Sequence, residues 1–234
     1  MRFSNNVIGG AIIAAMTLVA SPAEATATFA QFLQVVPQAR IFTYANAFGA
    51  TKAKLGTSAS SNTVLVSDLG SLASPTLATV NLVATASALP TLGSNISQLF
   101  SGSMTFTLLA PQLGLSGWST NALKVTFTNA YFLASPGGSA PTLQSGAGST
   151  ITYQSDFEDL TGATDEDFSL SFSGSSAPLW ILGTRLPNFS LSGSGTFAAV
   201  LPAPEPASWG LMLVGFGLAG ATLRAARRKS SAFA

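Results

Sequence analysis

The sequence predicts an all-β body, an antiparallel β-sandwich of the jelly-roll or immunoglobulin-like kind, flanked by two apolar terminal segments. Apolar and polar residues alternate with period two along the second half of the 234-residue chain, which is typical of strands with one buried face. Clusters of Gly, Ser and Pro separate these stretches and mark turns. Each terminus instead carries an uninterrupted apolar run that fits no half-buried strand. These observations divide the chain into residues 1–25, a body of residues 26–201, and residues 202–234.

The composition excludes most catalytic chemistry. The chain has no Cys and no His, so it can form no Ser-His-Asp triad, cysteine nucleophile, thiolate or imidazole zinc site, or disulfide. Charged residues make up 8% of the chain and the formal net charge is +1. A nucleic-acid-binding protein needs a basic stripe to neutralise phosphates, and none is present. We therefore expect a protein that is not an enzyme and binds no nucleic acid.

Residues 1–25 have the layout of a cleavable signal peptide. Arg2 supplies a positive charge, residues 7–20 form the apolar run, and small residues follow. The run would give a helix of about 21 Å, short for a hydrocarbon core of about 30 Å. Ala23 and Ala25 form an A-x-A signal that predicts cleavage after Ala25, with a second register after Ala27. A buried N-terminal helix of the body is the alternative.

The strands of the body follow from the alternation. In the first half we predict strands over residues 40–45, 63–67 and 77–83, and a short helix near 29–36 that Pro37 would end. The second half is more regular, with strands around residues 104–108, 123–127, 150–153 and 168–172. Turn clusters are predicted at residues 135–141, 144–149, 174–178 and 192–195.

Most of the acidic residues lie in one short stretch of the body. They are Asp156, Glu158, Asp159, Asp165, Glu166 and Asp167. Carboxylates at this density favour a cation, and Ca²⁺ prefers oxygen ligands from loops, although the spacing is not that of an EF-hand. We predict a weak calcium site formed by Asp156, Glu158, Asp159, Asp165 and Asp167, and no other cofactor. The alternatives are a solvated hairpin tip and an acid and nucleophile pair of a glycoside hydrolase.

Trp118 is the best candidate for stacking on a sugar ring. It follows Gly117 in a loop-like stretch, and the Thr- and Ser-lined outer faces of such a body can hydrogen-bond to sugars without carrying charge. The alternative is that Trp118 plugs one end of the sandwich.

The C-terminal segment has three consecutive parts. Pro202, Pro204 and Pro206 surround Glu205, and residues 207–223 then run without a charge. Four basic residues follow: Arg224, Arg227, Arg228 and Lys229. An apolar helix of about 25 Å followed by cations predicts a marginal transmembrane helix with the basic tail, residues 224–234, in the cytoplasm and Trp209 at the interface. We expect this helix to hold the protein in the membrane only temporarily, and a permanent single-pass anchor is the alternative.

The motif Pro204-Glu205-Pro206 with Trp209, the apolar run and the arginines resembles the PEP-CTERM sorting signal of Gram-negative bacteria, in its PEPxxWA subtype. Gly210 departs from that subtype, which more often has Ala. The resemblance implies that an exosortase, a membrane-embedded cysteine protease, recognises the motif and removes the helix. It also implies delivery to the cell surface or the exopolysaccharide matrix.

Together these features predict an exported, non-catalytic surface or matrix protein. Its expected partners are an exosortase and the inner membrane during transit, and extracellular polysaccharide afterwards. A carbohydrate-binding adhesin is the first alternative, and a carboxylate-dependent glycoside hydrolase is the second.

Overall fold

Twelve β-strands make up the regular structure of the described body. The computed structural model describes residues 26–46, 52–58 and 62–201, together with Gly215 and Phe216. The strands are β1 (Ala27–Gln34), β2 (Phe42–Ala45), β3 (Lys54–Thr57), β4 (Thr63–Ser67), β5 (Thr76–Ala86), β6 (Thr91–Leu92), β7 (Ile96–Gly114), β8 (Gly117–Ala134), β9 (Thr142–Gln144), β10 (Thr150–Gln154), β11 (Thr164–Ser173) and β12 (Phe189–Val200).

The predicted signal peptide, residues 1–25, lies outside the described residues, and so does the C-terminal segment from residue 202 except for Gly215 and Phe216. Among the residues described, no helix has the length and apolar character needed to cross a membrane.

Eight of the strands close into an antiparallel barrel. Hydrogen bonding runs in the order β1, β4, β5, β7, β8, β9, β11 and β12, and β12 pairs with β1 to complete the ring. The closing register joins Ala27 to Ala199. Strands β2 and β3 form a second path between β12 and β5, while β6 pairs with β7 and β10 with β8. The all-β prediction is confirmed, but the predicted sandwich of two sheets is replaced by one closed sheet with extra strands.

Aromatic rings fill the interior of the barrel. Phe106 lies 5.1 Å from Phe32 and 5.6 Å from Phe197, measured between ring centroids. A second group forms around Tyr44, whose ring stacks on Phe189 at 4.6 Å. The outward positions between these residues carry Thr and Ser, as in β11, where buried Phe and Leu alternate with serines. The core and the closing strands all lie between residues 27 and 200, so we expect the body to fold without the terminal segments.

The predicted helix near residues 29–36 is wrong, because residues 29–34 lie in β1 and residues 35–36 form a bend after it. The register of β1 against β12 shifts between Thr28 and Ala30, and Phe29 and Ala30 are both buried at this bulge. A bulge inserts one residue into the alternation. Phe29 and Phe32 therefore stand three apart, a spacing that mimics a helix face.

The predicted turn at residues 192–195 is also wrong, because this stretch lies in the middle of β12. A Cβ on Gly193 would stand 2.7 Å from Cδ1 of Phe172, and one on Gly195 would stand 2.5 Å from Cε1 of Phe32. The two glycines therefore let core rings pack directly on the strand backbone, one of the uses of glycine inside strands.

Candidate functional site

The body has two distinct ends, and the chain leaves it at one of them. We call this the exit end, because β12 ends here at Val200 and Leu201 is the last described residue before the C-terminal segment. Since the ring is antiparallel, the exit end also carries the β4–β5 connection (68–75), the β7–β8 turn (115–116) and the β10–β11 connection (155–163). We call the opposite end the far end.

All acidic residues of the described body lie at the exit end. The chain has nine acidic residues, and only Glu24 and Glu205 fall outside the described residues. The other seven are Asp68, Asp156, Glu158, Asp159, Asp165, Glu166 and Asp167. The predicted acidic loop is thus correct for its first half only. Its second half belongs to β11, where Asp165 has a φ of 49° beside a bulge in the pairing with β12.

Several of these carboxylates accept hydrogen bonds from neighbouring residues. The Ser119 hydroxyl donates to Oδ2 of Asp156 at 2.5 Å, and the Thr161 N–H donates to Oδ1 of Asp159 at 3.0 Å. The Ser145 hydroxyl donates to the carboxylate of Asp167. The hydrogen bonds from Thr161 lower the pKa of Asp159.

The structure does not support the predicted calcium site. In the part of the chain that it describes, no three acidic, His or Cys residues are grouped so that they could hold a metal ion. Asp156, Asp159 and Asp167 each accept a hydrogen bond from a different neighbour. Calcium binding at Asp156, Glu158, Asp159, Asp165 and Asp167 stays a prediction from the sequence.

Tyr153 joins β10 to β11 beneath the acidic residues. Its hydroxyl donates to the carbonyl oxygen of Asp167. Burial raises the pKa of Tyr153 strongly, and the charges of Asp167 and Glu166 raise it further. The phenol therefore stays neutral near pH 7 and acts as a structural donor. An open hollow of about 450 Å³ lies above it, lined by Leu115, Asp156 and Glu158 among others.

Replacing Glu158 with Gln is expected to stabilise the body near neutral pH. Burial, and then the charge of Asp159, raise the pKa of Glu158 above its ordinary value. A carboxyl group with a raised folded-state pKa binds more protons when folded, so its contribution is full below the unfolded pKa of about 4.3 and is lost as the pH rises through the folded pKa. Glu158→Gln should therefore raise the urea midpoint at pH 7 and leave it unchanged near pH 3. A variant that is less stable than wild type at pH 7 would contradict this.

Trp118 is exposed at the tip of the β7–β8 hairpin. It pairs with Leu113 across the turn, and 76% of its surface is accessible to solvent. The alternative in which Trp118 plugs one end of the body is therefore wrong. Phe157, which is fully buried, lies beneath this end instead. Sequence reasoning missed Leu113 and Leu115, which share the exposed tip with Trp118; the pattern of alternating Leu and Gly before Trp118 was the available signal.

The comparison with protein families bears on the segment that follows the exit end. Residues 202–229 match the family model for the PEP-CTERM protein-sorting motif. This chain carries a PEP-CTERM sorting motif. The motif contains all the residues that the sequence assigned to sorting, namely Pro204, Glu205, Pro206, Trp209, Arg224, Arg227, Arg228 and Lys229.

The PEP-CTERM motif implies an exported protein that passes through the membrane to the cell surface and is processed by an exosortase. The assignment to the PEPxxWA subtype stays a prediction. No curated protein and no solved structure matches the chain.

Proposed function

We propose that this chain is a non-catalytic protein of the cell surface or exopolysaccharide matrix, held at the inner membrane until an exosortase cuts it near Glu205. The observation that carries the proposal is the position of the PEP-CTERM motif. The matched segment begins at residue 202, two residues after β12 ends at Val200. Cleavage at residues 204–206 would therefore remove no strand and no core residue from the barrel.

The prolines around the cleavage motif support this arrangement. Proline has no N–H and fixes φ near −65°. It therefore cannot donate the backbone hydrogen bonds that would lengthen β12 or extend the predicted membrane helix toward the body. The sequence predicts that Pro202, Pro204 and Pro206, which lie outside the described residues, keep the motif extended. An extended segment is the form that a protease can bind.

The proposal that the body is not an enzyme rests on its chemistry. The chain lacks His and Cys, and Tyr153 is held neutral as a hydrogen-bond donor to the backbone. Carboxylates are the groups that the glycoside-hydrolase alternative would use. Asp156, Asp159 and Asp167 are each occupied by a neighbouring donor.

Removing residues 202–234 tests the sorting proposal in the cell. We expect the full chain to reach the surface fraction and the truncated chain, ending at Leu201, to collect in the periplasm. The thermal midpoint of the truncated body should stay unchanged, because no core residue has been lost. A truncated protein that still reaches the surface in full amount would overturn the proposal.

We propose extracellular polysaccharide as a partner of the body. The support is the exposure of Trp118 beside the Ser119 hydroxyl and the Asp156 carboxylate. Co-sedimentation of the purified body with the cell's own exopolysaccharide tests it. We expect Trp118→Ala to weaken binding about tenfold, or ~1.4 kcal/mol. Trp180→Ala is the matched control, because Trp180 is also exposed but packs against Gly137 in a different connection. Equal losses in both variants would count against a specific site.

A further inference from the structure

The charges of the body are separated between its two ends. The seven carboxylates described above lie at the exit end. Of the five basic residues that the structure describes, Lys124 lies in the wall on β8, opposite Gln154 at the end of β10 that is nearer the exit end. The other four are near the far end: Arg40, Lys52, Lys54 and Arg185. Lys54 begins β3 opposite the end of β2, Arg40 donates to the carbonyl of Gly174 just after β11, and Arg185 lies between β11 and β12.

Each end also exposes apolar surface. The exit end presents the hairpin tip formed by Leu113, Leu115 and Trp118. The far end has a hollow of about 250 Å³, lined in part by Ala53, Leu89, Pro90 and Arg185.

The polar side chains on the floor of this hollow already have hydrogen-bond partners within the body. The Tyr44 hydroxyl donates to Oε1 of Gln98 at 2.9 Å, and the Gln98 amide donates to the carbonyl of Ala88 at 3.0 Å. Burial raises the pKa of Tyr44 to about 12, so the floor stays uncharged. The guanidinium of Arg185 on the rim is therefore the charged group that the hollow offers to an occupant.

We propose that the exit end of one copy of this chain docks on the far end of a second copy, with the indole of Trp118 in the hollow beside Arg185. Charge complementarity favours a second copy of this chain as the partner, because the carboxylates around the tip would face Arg185, Lys52 and Lys54 of the next copy. A guanidinium beside an indole adds a cation–π attraction. The apolar tip supplies the buried aromatic anchor that protein interfaces commonly use.

Such a contact joins two different surfaces, so it is heterologous and continues as a filament or closes as a ring. The proposed sorting route adds a constraint, and this step rests on that route. The chain continues from the exit end into the C-terminal segment, so we expect assembly to begin only after that segment has been removed. A polysaccharide bound at Trp118 would compete with the contact.

Sedimentation velocity of the mature-length body, residues 26–206, tests the contact without polysaccharide or membrane. We expect concentration-dependent assembly in about 10 mM salt that is lost in about 1 M salt, as the screening length falls from ~30 Å to ~3 Å. Trp118→Ala and Arg185→Glu should each weaken assembly at least tenfold. The controls are Leu33→Ala and Lys124→Glu, which change an exposed leucine and a cation in the barrel wall and should leave assembly intact.

Mixing the two interface variants gives the sharpest result. Trp118→Ala keeps an intact far end and Arg185→Glu keeps an intact exit end. A heterologous contact therefore predicts that each variant alone assembles at least tenfold more weakly than the wild type, and that the mixture forms 1:1 dimers and nothing longer. A wild-type body that stays monomeric at every salt concentration would overturn the proposal, and so would a mixture that stays monomeric. Neither result would affect the sorting proposal, which is read from cell fractions.

Discussion

Replacing Glu205 and Pro206 together with alanine is expected to stop processing of this protein almost completely. The double variant keeps the apolar run of residues 207–223 and the basic residues after it, so its insertion and topology should be unchanged. It loses only the motif that the exosortase is expected to recognise. We expect the variant to accumulate in the inner membrane at full tail length, measured by fractionation and immunoblotting with a tag placed in the body.

Gly210→Ala is the matched control for this experiment. It changes one small residue in the same segment and moves it toward the residue more often found at this place in the PEPxxWA subtype. The control should be processed like the wild type. A double variant that is cut as efficiently as the control would show that Glu205 and Pro206 do not direct cleavage.

Gly102→Ala is expected to destabilise the body by about 3 kcal/mol or more, at the upper end of what overpacking usually costs. Gly102 lies in β7 opposite Ala84 of β5. A Cβ at this position would overlap the carbonyl oxygen of Val83 and stand 2.5 Å from Cα of Ala84. Both are backbone atoms, so no side chain can turn away, and the two strands would have to separate. Urea unfolding of the purified body measures the loss.

Gly93→Ala controls for the general effect of adding a methyl group to a glycine. The nearest atom to a Cβ on Gly93 is the carbonyl oxygen of Asn95 at 4.0 Å, so we expect a change within about 0.5 kcal/mol. Similar losses in the two variants would contradict the packing that the structure assigns to Gly102.

The alternation of apolar and polar residues predicted the strands that follow it closely. Residues 63–67 are β4, and residues 77–83 lie inside β5. It failed where a local feature interrupts the period. The bulge beside Ala30 gave β1 the spacing of a helix, and the glycines of β12 resembled a turn because their packing partners, such as Phe32 and Phe172, are distant in sequence.

Closure of the barrel could not be predicted from periodicity. The pairing of Ala27 with Ala199 joins the two edges of the sheet, and a strand that buries one face reads the same in an open sandwich and in a closed ring. The separation of charge between the two ends of the body could not be predicted either, because it also depends on which strands pair. Lys54 and Arg185 are far apart in sequence, and only the topology places both at the end opposite the acidic residues. The sorting motif, by contrast, is local, so the sequence alone was sufficient to find it.

The intact mass of the protein in the surface fraction shows whether the C-terminal segment has been removed. We expect a product that begins at Thr26 or Thr28, ends near Glu205 or Pro206, and lacks residues 224–234. Cleavage there separates the closed barrel from the segment that holds it. A surface protein whose mass still includes Ala234 would contradict exosortase processing, because the C-terminal segment would then be a permanent anchor.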